Sequence, residues 1–158
     1  MDVIKFNLEN LEKSNTGFAY YLLGRSYDLE ENNAIQDLNK ALYYYQKGID
    51  VGHPLCIYSL GISYELGLGD SLKIDKNKAD ELLKQAYPKI IQLINDPNTN
   101  DIERLYAKFV IGAYYYFGLG DIEKNYEKAF AIIKECAEKR HIAAIYDLGA
   151  NFYCNGTG

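Results

Sequence analysis

Three cysteines and two histidines are the first candidates for nucleophiles or metal ligands in this 158-residue chain. Cys56, Cys136 and Cys154 are solitary and form no Cys-x-x-Cys spacing, so a zinc site has no support. Cys56 and Cys136 fall at small-residue positions of apolar helical faces, which favours core packing over nucleophilic chemistry. His53 and His141 share one position in a repeat, eight residues before a glycine, which points to capping or turn packing. We therefore predict no catalytic residue and no metal site.

Two Gly-Leu-Gly-Asp segments, residues 67–70 and 118–121, resemble loops that cradle phosphate. They follow predicted helices instead of strands, and they lack the Gly-Lys-Ser/Thr ending of a phosphate-binding loop. We interpret both as turns and expect no cofactor.

The cysteines, histidines and Gly-Leu-Gly-Asp segments all lie within a repeated sequence pattern. A glycine preceded by Leu or Ile and followed three residues later by an aromatic residue occurs four times. A Lys-Ala pair follows the first three copies, its alanine 17, 18 and 17 residues after the glycine. The glycines, spaced by 37, 51 and 37 residues, are Gly24, Gly61, Gly112 and Gly149.

Each copy predicts two helices. In the first helix, a small residue, the Leu or Ile and the aromatic residue fall on one face at ~100° per residue. The second helix follows a capping residue, which is Asp37, Asp75 or Asn125. Because glycine inside a helix costs about 1 kcal/mol relative to alanine, its recurrence predicts close approach of two helices. The Gly-x-Gly turn supplies the left-handed backbone that ends the first helix.

These motifs resemble the Sel-one-like repeat (SLR) family of the tetratricopeptide-repeat superfamily, over roughly residues 18–158. The pattern is Ala-x-Tyr-x-Leu-Gly-x-x-Tyr, the Gly-x-Gly turn and the Lys-Ala pair. The resemblance implies an all-α fold, a right-handed α/α superhelix (solenoid) of antiparallel helix pairs, with first helices lining its concave face. It also implies an adaptor or scaffold role. The chain departs from the pattern at residues 29–32, where Leu-Glu-Glu-Asn replaces the first Gly-x-Gly turn.

We expect residues 1–15 to form an N-terminal arm or capping helix, and residues 16–158 a single solenoid domain. Residues 88–101 are an insertion in the second repeat, where Pro88 either kinks a helix or starts another. Asp101 is the expected cap of the helix that follows. The repeats are expected at about 16–52, 53–101, 102–140 and 141–158, the last one partial.

The expected concave groove supplies the candidate binding residues. Positions −3, +1 and +4 from each glycine lie opposite the core seam of the first helix. An aromatic residue occupies −3 in every copy, either as core support or as an anchoring surface for a partner. The predicted groove residues are Tyr21, Arg25, Asp28, Tyr58, Ile62, Glu65, Phe109, Ala113, Tyr116 and Tyr146, together with Ala150.

The charge of the chain limits the classes of partner that it can bind. The formal net charge is −5, and no cluster of Lys and Arg forms a stripe, which disfavours nucleic acid and anionic membrane. The N-terminus lacks the basic start and apolar run of a secretory signal. We expect a cytoplasmic protein, or alternatively one exported without a cleaved signal peptide.

We expect a non-catalytic module that binds another protein or peptide in the groove. The alternatives are an enzyme or small-ligand protein with a site between repeats, and a structural spacer. The last repeat reaches only its first helix, at about residues 141–154, before a turn. We expect further chain, or self-association with a second copy, to cover the apolar surface of this C-terminal end.

Overall fold

The computed structural model describes residues 3–147, which form eight helices and an isolated antiparallel bridge between Leu68 and Leu72. The all-α prediction is confirmed. Within this range no helix combines the length and the apolar character needed to cross a bilayer. The predicted C-terminal turn, Cys154, Ala150 and most of the C-terminal end lie outside the described residues. The helices are α1 (Leu8–Ser14), α2 (Gly17–Leu29), α3 (Leu38–Asp50), α4 (Pro54–Leu66), α5 (Lys76–Asn95), α6 (Asp101–Phe117), α7 (Tyr126–Glu138) and α8 (Ile142–Asp147).

The described residues divide into two compact units. One comprises residues 5–87, with α1 to α4 and the first part of α5. The other comprises residues 88–147 together with residues 3 and 4. A single solenoid domain over residues 16–158 stays a prediction.

The first three repeat glycines lie where two helices of one repeat pack closely, and Gly149 lies outside the described residues. A Cβ added to Gly61 would lie 3.0 Å from Leu83 Cδ2, and one added to Gly112 would lie 2.8 Å from Ile133 Cγ1. Gly24 faces the ring of Tyr45 in the same way. The predicted close contacts are therefore confirmed, because even one methyl group at these positions would displace the neighbouring side chain.

The predicted caps start the second helices. In each case the side-chain oxygen of the cap accepts a hydrogen bond from the backbone N–H three residues ahead, at 3.0 Å. The backbone N–H of the cap also donates to the carbonyl oxygen of the tyrosine three residues after the glycine. These cap–tyrosine pairs are Asp37–Tyr27, Asp75–Tyr64 and Asn125–Tyr115, at 3.0, 2.9 and 2.8 Å. Each pair fixes the end of one helix against the start of the next, and the two helices run antiparallel.

In the second and third repeats a glycine with positive φ ends the first helix, as predicted. In the first repeat residues other than glycine adopt the positive φ. Gly67 and Gly118, which end α4 and α6, have φ of 75° and 66°. In the first repeat Glu30 and Asn32 adopt φ of 55° instead. Asn32 is held in place because its Nδ2 donates to Ser26 Oγ at 2.9 Å, while its Oδ1 accepts from the Phe6 N–H at 2.7 Å. Side-chain hydrogen bonds there replace the conformational freedom of glycine.

The structure decides between the two alternatives for Pro88 and differs from expectation in the cap of α6. Pro88 lies inside α5, so the alternative that it starts a separate helix is wrong. Asn100, not Asp101, caps α6, because the Asn100 Oδ1 accepts from the N–H groups of Ile102 and Glu103, both at 3.0 Å. Asp101 is the first helical residue and adds negative charge at the N-terminus of α6.

Candidate functional site

The two described cysteines are core residues. Cys56 and Cys136 are free thiols with no exposed surface. Burial raises the pKa of the Cys56 thiol far above its ordinary value, and burial with the Glu135 charge raises the pKa of Cys136 to about 12. Neither thiol forms a thiolate near neutral pH, so the predicted core role is confirmed.

The two histidines cap helices, as predicted. His53 Nδ1 accepts a hydrogen bond from the Leu55 N–H at 3.3 Å, and His141 Nδ1 accepts one from the Ala144 N–H at 3.3 Å. The His141 ring packs against Phe109, with the ring centroids 4.5 Å apart. Among residues 3–147, no group of three or more His, Cys, Asp or Glu side chains is placed to hold a metal ion.

Four predicted groove residues are buried, and for Tyr21, Phe109 and Ala113 this corrects their assignment to an open surface. Tyr21 has no exposed surface, and Phe109 and Ala113 are also buried. Tyr21 stacks on Phe18 with centroids 6.2 Å apart, while Phe109 packs on His141. At these positions the alternative of core support applies, because neighbouring elements cover a part of the first helix that wheel arithmetic places at the surface.

The other predicted groove residues reach the surface to different extents. Asp28, Tyr58, Ile62, Glu65 and Tyr116 are partly exposed. Tyr146 is 70% exposed. Arg25 is buried along most of its length but faces a cleft.

Four of the predicted residues come together around one cleft of about 200 Å³ between α2 and α4. They are Arg25, Asp28, Tyr58 and Ile62. These four positions of the first two first helices therefore share one cleft, and their role in binding a partner stays a prediction. Glu65 and the predicted residues of the other unit do not line the cleft.

Sequence reasoning missed the apolar rim of this cleft. Leu29 and Leu66 line it and are 54% and 70% exposed. Both stand five residues after a repeat glycine, and Phe117, at the same place in the third repeat, is 59% exposed. That shared position is a sequence signal, since an apolar residue recurs at a phase that the core does not require.

Charge in the cleft comes from a paired arginine and a separate carboxylate. Arg25 Nη2 and Nε donate to the two carboxylate oxygens of Glu31 at 2.7 and 2.9 Å, with both side chains less than 15% exposed. Asp28 Oδ2 accepts a hydrogen bond from the Tyr45 hydroxyl at 3.1 Å. Burial raises the pKa of the Asp28 carboxyl above its ordinary value, against the opposing effects of the Tyr45 hydrogen bond and the Arg25 charge. Because Glu31 neutralises Arg25, the ionised Asp28 leaves the cleft with excess negative charge.

The other unit has a cleft of about 430 Å³ with a basic lining. Arg104, Lys108 and Lys139 line it, together with Asp101 and apolar residues of α6. Lys108 and Lys139 share the carboxylate of Glu135, at 3.4 and 3.3 Å. None of these residues was predicted to bind a partner.

Comparison with known proteins identifies the fold family. The model of the Sel1 repeat matches residues 17–53, 54–87, 105–138 and 142–158, most of the chain. The chain belongs to the Sel1 repeat family. The Sel-one-like resemblance is thereby confirmed, and Sel1 repeat proteins generally mediate protein–protein interactions.

Two solved structures resemble this Sel1 repeat protein. A Sel1 repeat protein from Oxalobacter formigenes is 20% identical, with 90% of this chain and 94% of that chain covered and a TM-score of 0.44. A protective antigen of uropathogenic Escherichia coli strains that displays an SLR fold is 17% identical, with 95% of this chain and 36% of that chain covered and a TM-score of 0.46. None of the curated proteins matches the chain significantly in sequence.

Proposed function

We propose that this Sel1 repeat protein is a non-catalytic adaptor that binds a peptide or partner domain along its first helices. The cleft between α2 and α4 is the proposed anchoring point. The observation that carries the proposal is the pair of leucines at its rim: Leu29 and Leu66 expose more than half of their surface beside a cleft whose walls include Ile62 and Tyr58. Large apolar side chains exposed around a concave site are typical of protein-binding surfaces.

The chemistry of the described residues agrees with a binding role. The thiols of Cys56 and Cys136 are buried, and the imidazoles of His53 and His141 serve as helix caps. The Sel1 repeat is typically a non-catalytic scaffold fold. We also propose a cytoplasmic location, which free, buried cysteines suit because a reducing compartment keeps thiols reduced.

The test is selection of phage-displayed random dodecapeptides on the whole chain, followed by affinity measurements with purified peptides. Leu66→Glu should weaken the selected peptides about tenfold or more, because it places a charge on the apolar rim. Val51→Glu is the matched control, since Val51 is 60% exposed at the far end of α3 and outside the cleft. Failure to select any peptide, or equal affinities for the two variants, would refute the proposal.

A further inference from the structure

The cleft between α2 and α4 contains a carboxylate with unused hydrogen-bonding capacity. A carboxylate has two oxygens and about four acceptor positions. Asp28 Oδ2 accepts from the Tyr45 hydroxyl, whereas no hydrogen bond from the described residues reaches Asp28 Oδ1. Asp28 is partly exposed and lines the cleft, so a donor on an incoming group can reach this oxygen.

The neighbouring cation does not satisfy this carboxylate. The guanidinium of Arg25 makes a two-point contact with Glu31, and its Nη1 also lies 3.5 Å from the Tyr21 hydroxyl. Glu31 is not part of the cleft lining, but its ion pair occupies the Arg25 guanidinium, so these two carboxylates and one guanidinium together leave one formal negative charge beside the cleft. Partial burial makes the ionised Asp28 carboxylate costly, and the Arg25 charge, which is paired with Glu31, offsets this cost only in part, so a cationic occupant is favoured.

The apolar walls of the cleft limit the kind of cation that fits. Leu29, Ile62 and Leu66 line the same cleft as Asp28, and a small hydrated cation gains nothing from them. Lysine and arginine carry several methylene groups below the charged head, and these stems pack on apolar surface while the head reaches a polar group. The volume of about 200 Å³ suits one such side chain.

We infer that the cleft binds a lysine or arginine side chain of a partner protein, with its stem on Leu29, Ile62 and Leu66 and its charged head on Asp28. This inference rests on the proposed function and adds the chemistry of the anchoring residue. A charge-assisted hydrogen bond to Asp28 supplies the preference for a basic side chain over a neutral one of the same length.

The first test uses the unaltered protein with small probes. Methyl NMR signals of Ile62 and Leu66 are followed during titration with the Nα-acetyl amides of arginine, citrulline, lysine and norleucine. Citrulline matches arginine in shape, norleucine carries the four-carbon stem of lysine without the ammonium group, and both lack the charge. We expect the basic probes to bind about tenfold more tightly than the neutral ones. Equal affinities, or no saturable shift with either basic probe, would overturn the inference.

The second test removes the charge and keeps the internal hydrogen bond. In Asp28→Asn the amide oxygen still accepts from Tyr45, and we expect about tenfold weaker binding of the basic probes with little change for norleucine. Asp50→Asn is the matched control: Asp50 is exposed at the end of α3 and likewise accepts one neutral hydrogen bond, from Gln46 Nε2 at 3.0 Å. If both variants bind the basic probes as the parent does, the inference is wrong. Because the probe comparison uses the parent protein, it decides the matter even where Asp28→Asn folds poorly.

The peptides selected on the whole chain separate this inference from the proposed function. Some peptides could lose affinity for Leu66→Glu, contain no basic residue and bind Asp28→Asn as tightly as the parent. That result would support the proposed function and overturn the basic anchor. Peptides that need a basic residue and respond to both changes would support both.

Discussion

Lys78 Nζ lies 4.9 Å from the ring centroid of Tyr64, so the lysine of the Lys-Ala pair covers the tyrosine three residues after Gly61. The same contact joins Lys40 to Tyr27 at 5.0 Å and Lys128 to Tyr115 at 5.2 Å. The backbone carbonyl of each tyrosine also accepts the hydrogen bond from the cap of the next helix. One tyrosine therefore joins the two helices of its repeat through both its backbone and its ring, which explains why the separation between the glycine and the Lys-Ala pair varies by only one residue.

Lys128→Met should lower the free energy of unfolding by about 0.5–1 kcal/mol, the usual worth of a surface cation–π contact. A double-mutant cycle with Tyr115→Leu, measured by urea unfolding, gives the interaction free energy between Lys128 and Tyr115. Lys89→Met is the control, since Lys89 is exposed in α5. Strictly additive effects of the two changes would show that the contact contributes nothing.

Gly112→Leu should destabilise the fold by ~1–3 kcal/mol, because a Cβ alone would come within 2.8 Å of Ile133 Cγ1. Urea unfolding measures the effect. Ala131→Leu is the control, as Ala131 is exposed on α7 and a larger side chain there meets no packed neighbour. A Gly112→Leu variant as stable as the parent would mean that this glycine is not needed for helix contact.

Short-range patterns account for what the sequence predicts well. The glycines, caps and turns each depend on residues within one repeat, and their chemistry fixes their conformation. Asn and Asp are both favourable N-cap residues, so the sequence alone does not show whether Asn100 or Asp101 is the last residue before the helix. Periodicity places Tyr21 at the edge of the helix face, whereas its burial depends on the packing of elements that helix periodicity does not describe.

Contacts through irregular loops were beyond sequence reasoning. Arg25 and Glu31 are six residues apart, which is not a helical spacing for a side-chain pair. They meet because Glu30 turns the chain back with φ of 55°. The charge balance of the cleft, and hence the significance of Asp28, follows from this loop.

Glu31→Gln should cost about 2 kcal/mol, since it replaces a two-point charged contact and leaves the Arg25 guanidinium without its partner charge. Glu30→Gln is the matched control, being the exposed neighbour in the same turn. Thermal and urea unfolding of the two variants provide the comparison. Equal stability of both would show that the ion pair does not hold the turn.

Cys56 and Cys136 should resist alkylation in the native protein. Burial suppresses ionisation of both thiols, and the pKa of Cys136 is raised to about 12, so thiolate is scarce at pH 8. A Cys154→Ala variant treated with iodoacetamide at pH 8, and analysed by mass spectrometry, should remain unmodified without urea and gain two adducts in urea. Rapid labelling of the native variant would contradict the buried placement.

Asp28→Asn should stabilise the protein at neutral pH, even though it removes the proposed anchor. Burial raises the folded-state pKa of this carboxyl above 3.8, so the folded state binds more protons than the unfolded state between the two pKa values. The stability of the parent therefore falls as the pH rises through this window, because the desolvation of the partly buried charge outweighs the favourable effects of Arg25 and of the Tyr45 hydrogen bond. The variant has no such charge and keeps the Tyr45 hydrogen bond, so its advantage should grow from pH 3.8 to the folded pKa and then stay constant. Urea unfolding of the parent, Asp28→Asn and Asp50→Asn between pH 3.5 and pH 7.5 measures this difference. A pH-independent difference, or the same pH dependence for Asp50→Asn, would show that Asp28 carries no desolvation cost and would remove one reason for expecting a cation in the cleft.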